Sequence, residues 1–205
     1  MILSESFNNP NLPARFTGVI HMSEEILQPA IEKFAEGDLE GAVQTLDEMC
    51  KSHKDVAAVH HTYAEFANML NVEAQDDVIP GGKIMMAYKK AMNLDEENDE
   101  YIVDFADFAL ECRRIPQAIK EYERYARRLE LADIPIDDRL YMAARNLVDA
   151  IEVVDPTKSN PQVMPWLKSA IKWSVGGLGY SPEEASKLLL CLLYTSDAAD
   201  ELLGV

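Results

Sequence analysis

His60 and His61 are adjacent, and Glu65 stands four residues after His61. Imidazole and carboxylate groups bind metals and carry protons, so the trio is the first place to look for chemistry. Neighbouring helical residues point about 100° apart and do not ligate one ion together. Glu65 can share a face with His61, but the local sequence offers no third ligand. No metal site is expected, and His60 is expected to pack in the interior. Cys50, Cys112 and Cys191 are too widely spaced for a disulfide framework or a zinc pattern. That usage fits a reducing cytoplasm, and Cys50 and Cys112 are expected to be buried packing residues. Gly176-Gly177-Leu178-Gly179 does not follow a strand and so does not read as a phosphate cradle. The chain has no nucleophile elbow and no paired-histidine zinc-protease motif. Carboxylates abound, yet spacing pairs none of them. The expectation is a protein that is not an enzyme and holds no cofactor.

Composition points the same way. The 205 residues carry 36 acids against 19 bases, a net charge of -17, with 48% hydrophobic and 27% charged residues. That balance is globular, and the length suffices to bury a core. A duplex-binding surface needs basic patches, so nucleic acid is excluded as the expected partner. No apolar run approaches the roughly 18 residues needed to span a bilayer, so no membrane partner is expected, and no secretory signal is legible.

The elements that must position any site read as helices. Apolar spacing predicts a helix over 23–35, with Ile26, Leu27, Ala30, Ile31 and Phe34 inward and Ser23 as its cap. Pro29 either starts that helix or kinks it. Further helices are predicted over 39–51, 57–70, 84–94, 100–112 and 119–129, with a polar loop over 71–82 and Pro116 in a first turn. A long helix over 137–154 and another from about 162 or 165 to 175 follow. Ser181-Pro182-Glu183-Glu184 is a capping-box start for one more.

A repeat underlies these helices. Met85–Met92 superposes on Ile119–Ala126 with a shift of 34 residues, placing Tyr88 on Tyr122. Ala30 and Ala64 are 34 apart; Ala64 to Ala106 and Ala42 to Ile84 are both 42; Ile84 to Ala118 is again 34. One insertion of 8 residues between Asn71 and Gly82 accounts for both long intervals. Lengthening a loop costs only about 0.6 kcal/mol per doubling. Helices approach to roughly 8–10 Å where side chains are small. Ala64, Ala106 and Ala118 give that room, and Tyr88, Tyr122 and Tyr125 fill the gaps beside them.

On these residues the chain resembles a tetratricopeptide repeat protein, whose 34-residue unit is a helix–turn–helix. Ala30, Ala64 and Ala106 match the small position of the first helix. Ala42 with Leu46, Ile84 with Tyr88 and Ala118 with Tyr122 match the second-helix step, and Gly37 matches the turn. The early aromatic is replaced by Ile26, His60 and Ile102, and the terminal proline by Lys54 and Glu96. The resemblance covers about 23–130 well and continues loosely to 190. It implies an all-α, right-handed α-solenoid over 23–190, with repeats at 23–56, 57–98, 99–132, a divergent 137–176 and the start of a fifth at 181–190.

The resemblance also implies an interaction scaffold or adaptor that binds a peptide or protein segment in a concave groove. Its groove positions fall on Glu24, Leu27 and Phe34, on His61, Glu65 and Asn68, and on Glu100, Val103, Asp107 and Glu111. Five of these ten are acids and none is Lys or Arg, so a basic partner segment is expected.

The two ends stand apart. The 1–21 stretch holds Asn8-Asn9-Pro10-Asn11 and Pro13 and carries no helical period. It is expected to be a disordered tail or a non-native leader ahead of Met22. Residues 191–201 resemble a translated sequencing adapter, so 191–205 is expected to be an adapter-derived tail on a chain truncated near Leu190. Without Asp197, Asp200 and Glu201 the count is 33 acids against 19 bases, a net of -14, so the acidic bias stays. The alternative function is a helical regulatory or N-terminal fragment of an enzyme whose catalytic part lies beyond the truncation.

Overall fold

Our computed structural model describes residues 14–154 and 163–176. Residues 1–13 of the leader, the helix start at Ser181, the beginning of a fifth repeat and the 191–205 tail lie outside the described residues. Among the described residues all regular structure is helical: α1 (Ala14–Ala35), α2 (Leu39–Ser52), α3 (Ala57–Ala74), α4 (Gly81–Leu94), α5 (Asp99–Glu111), α6 (Ile115–Leu131), α7 (Asp138–Val154) and α8 (Val163–Gly176). None of these helices is long and apolar enough to cross a membrane. The chain forms two compact units, Met1–Asp95 and Glu96–Val205.

Each unit is built from neighbouring helix pairs. In the N-terminal unit α1 packs on α2 and α3 on α4, with α2 and α1 both against α3. In the C-terminal unit α5 packs on α6 and α7 on α8; α5 touches α7, and α6 touches α7 and α8. The small and aromatic positions that the sequence set inward are buried. Ala30, Ala42, Ala64, Ala106 and Ala118 are fully buried, and Tyr88, Tyr122 and Tyr125 are interior. Ile31 departs from the inward stripe and is 41% exposed. Apolar spacing marks a wide stripe, and only the part facing α2 or α3 is covered.

Four of the helix ends close in one way. Gly37, Gln75, Arg113 and Asp133 adopt φ of 87°, 52°, 58° and 56°. At each, the next residue's N–H bonds five residues back and its own N–H three back, as in Arg114 to Ala109 and Arg113 to Leu110, both 2.8 Å. This Schellman arrangement satisfies carbonyls that a helix end would leave orphaned. Glycine takes the left-handed conformation without strain, and it stands at only one of the four.

Several boundaries differ from the sequence expectation. Helix α1 begins at Ala14, directly after Pro13 and well before the Ser23 cap signal. A serine followed by acids marks a start only where the preceding residues resist helix, and 14–22 contain no proline. Pro29 lies inside α1, where it withholds one backbone donor from Glu25. Helix α3 runs a turn past Leu70, to Ala74. Asn71 then pins the loop, donating to the Ile79 carbonyl at 2.7 Å and accepting from the Ile79 N–H at 2.8 Å. Pro116 sits in the first turn of α6 as expected. Asp137 caps α7 by accepting from the Leu140 N–H at 3.3 Å, and it also accepts from the Tyr125 hydroxyl, tying α6 to the start of α7.

Candidate functional site

The groove positions inferred from the resemblance divide by burial. Leu27, His61 and Val103 are interior, at 8%, 6% and 5% exposure. Phe34, Glu65, Asn68 and Asp107 are half-buried, and Glu100 and Glu111 are exposed. The Glu24 side chain lies outside the described residues. In the N-terminal unit the Phe34 ring meets Phe66 at a tilt of 34°, with centroids 4.6 Å apart. The His61 ring meets Tyr88 edge-on at 5.8 Å, and its Nδ1 lies 3.3 Å from Glu65 Oε2. The expected i, i+4 relation of His61 and Glu65 therefore exists. His60 is buried, as expected, with Nε2 3.0 Å from the Lys54 carbonyl.

Cysteine burial is corrected. Cys112 is exposed at the C-terminal cap of α5, and Cys50 is half-buried. A helix cap looks outward wherever the chain must turn, whatever the residue type. Burial pushes the Cys50 thiol up to about 11, with Asp47 adding to the effect.

In the C-terminal unit Asp107 and Glu111 come together with residues the sequence did not single out. A cleft of about 420 Å³ opens between α5 and α7, lined by Asp107, Leu110 and Glu111 from one helix and by Asn146, Asp149 and Ala150 from the other. Both helices use the same spacing, i, i+3 and i+4, which sets three side chains on one face. Each contributes an apolar residue, Leu110 or Ala150, beside its polar ones. Three carboxylates and one carboxamide therefore face a space with no basic lining residue. Asn146 and Asp149 escaped the sequence reading because the groove positions that the resemblance implies stop at Glu111. Their spacing, matching that of 107, 110 and 111, is the signal that could have found them.

Asp107 is the inner edge of this cleft. It accepts a hydrogen bond from the hydroxyl of Tyr122, which is fully buried on α6. Burial pushes the Asp107 carboxyl above the usual range; the Tyr122 bond pulls the other way, while Asp104 and Glu111 add to the rise. Burial, followed by the charge of Asp107, drives the Tyr122 hydroxyl far above its ordinary value. Tyr122 in turn meets Trp173 of α8 edge-on at 5.7 Å. The carboxylate is thus held by a chain of packed rings. Ionised carboxylates only accept hydrogen bonds, so the cleft suits guanidinium or ammonium donors.

No protein-family model matches the chain, and no curated protein matches it in sequence. The reading of the site therefore rests on its own geometry and charge.

Proposed function

We propose that the protein is a scaffold of tetratricopeptide-like repeats, stacked as an α-solenoid, that binds a Lys- or Arg-containing segment of another protein in an acidic groove. The observation carrying this reading is the α5–α7 cleft, where Asp107, Glu111 and Asp149 from two helices share one space of about 420 Å³. In the repeat register α5 and α7 are the first helices of successive pairs, the elements that line the groove in the family the chain resembles. The reading needs no chemistry from the protein itself, and the widely spaced cysteines suit work in the cytoplasm.

A basic side chain entering the cleft gains charge-assisted hydrogen bonds, which are about twice as strong as neutral ones. The test is selection of peptides from a random display library by the full chain, then affinity measurement on the winners. Lys/Arg enrichment is expected. Affinity should fall as salt rises toward about 1 M, where charges are screened beyond roughly 3 Å. The Glu111→Lys plus Asp149→Lys variant should bind about tenfold or more weakly, a loss of at least about 1.4 kcal/mol. Selection of neutral or acidic peptides, or affinity indifferent to both salt and the double substitution, would remove the reading.

A further inference from the structure

The N-terminal unit carries a feature that the acidic cleft does not use. The Phe34 and Phe66 rings meet at a tilt across α1 and α3, centroids 4.6 Å apart, and both are only half-buried. Ile31, one turn before Phe34, is 41% exposed, and Met69, one turn after Phe66, is 40% exposed. Residues three apart on a helix are neighbours, so four large apolar side chains form one seam along two helices. Single exposed apolar residues need no explanation, but a contiguous patch with a polar rim marks an interaction surface.

The rim has one sign. On α3, Glu65 and Glu73 stand four residues either side of Met69, and on α1 Glu32 adjoins Ile31. Over 25–35 of α1 and all of α3 the only Lys or Arg is Lys33. Its ammonium donates to Thr45 Oγ1 at 2.8 Å and to the Gly41 carbonyl at 3.4 Å on α2. No basic side chain of these two stretches is left to face the seam.

We propose that the α1–α3 seam docks a segment of a partner protein that combines bulky apolar side chains with flanking Lys or Arg. The inference rests on the adaptor reading and deepens it with an apolar foothold on α1 and α3, the helices that carry the groove positions Phe34 and Glu65. Charge complementarity selects the occupant: apolar anchors cover Ile31, Phe34, Phe66 and Met69, while cations meet Glu65 and Glu73. A second copy of this chain would bring its own acids to the same rim, against a net charge of -17 per chain. An anionic lipid surface is repelled for the same reason.

The test uses the full chain and three fluorescent synthetic helical peptides read by anisotropy: Leu stripe with Lys, the same stripe with Glu, and Ser in place of Leu with Lys. The Leu/Lys peptide should bind best. Ile31→Ser plus Met69→Ser should weaken it about tenfold or more; both side chains reach solvent, so urea melts should still show a cooperatively folded protein. Glu65→Gln plus Glu73→Gln should flatten the salt dependence of the remaining affinity. The Glu111→Lys plus Asp149→Lys variant should leave the seam's share of binding intact. Equal binding of the Leu/Glu peptide, or an Ile31/Met69 variant of unchanged affinity, overturns the seam while a cleft-sensitive Lys peptide keeps the adaptor. A Lys peptide that binds neither site overturns both. A wild-type dimer in sedimentation that the Ile31/Met69 variant dissociates assigns the seam to a second copy and overturns the proposal as stated.

Discussion

Tyr122→Phe tests the link between the interior and the acidic cleft. The hydroxyl is fully buried and donates to Asp107, whose carboxyl burial already pushes above the usual range. Removing the donor forfeits a hydrogen bond to a charged group, worth about 1.5–3 kcal/mol. It also removes the one influence that lowers the Asp107 value, so that value climbs further. A carboxyl raised in the folded state supports folding fully below its unfolded value, near roughly pH 4, and loses that support as pH rises through the folded value. The variant should therefore lose about 2–3 kcal/mol at pH 7 but only about 1 kcal/mol near pH 4, where a neutral carboxyl misses a weaker bond. Urea unfolding followed by tryptophan fluorescence reads this directly. Both tryptophans, Trp166 and Trp173, lie on α8, and Trp173 touches the Tyr122 ring. Asp107→Asn combined with Tyr122→Phe should cost less at pH 7 than Tyr122→Phe alone, because no charge is then stranded. A loss equal at both pH values, or below about 0.5 kcal/mol at neutral pH, would refute the reasoning.

Other substitutions probe the scaffold. Ala106→Leu overfills a fully buried notch on α5 and should cost about 1–3 kcal/mol in urea unfolding. Arg113→Gly relieves a left-handed residue at the α5 end and should stabilise by up to about 1 kcal/mol, whereas Gly37→Ala should cost about 1–2 kcal/mol, since open space around Gly37 leaves only backbone strain. Asp47 is held below the usual carboxylate range by hydrogen bonds from Lys51 and then Lys83. Asp47→Asn should therefore cost less than about 1 kcal/mol at pH 7, since the pairs are largely solvated. The wild-type advantage should fade as pH falls below roughly 4, the sign expected of a depressed carboxyl.

The helical order of this protein was legible in its residues because apolar side chains recur at helical spacing in each segment. Ala30, Ala64, Ala106, Tyr88 and Tyr122 are interior for that reason, and Pro116 opens α6 because a proline is harmless in a first turn. Local patterns record what a residue needs from its own helix. They do not record which neighbour covers it. Ile31 and Val103 carry the same apolar signal, yet one is exposed and the other buried, according to which face another helix reaches. The placing of Asn146 and Asp149 opposite Asp107 and Glu111 depends on contacts between segments far apart in sequence. The acids themselves are a property of the chain. Gathering three of them around one cleft is a property of how α7 lies against α5.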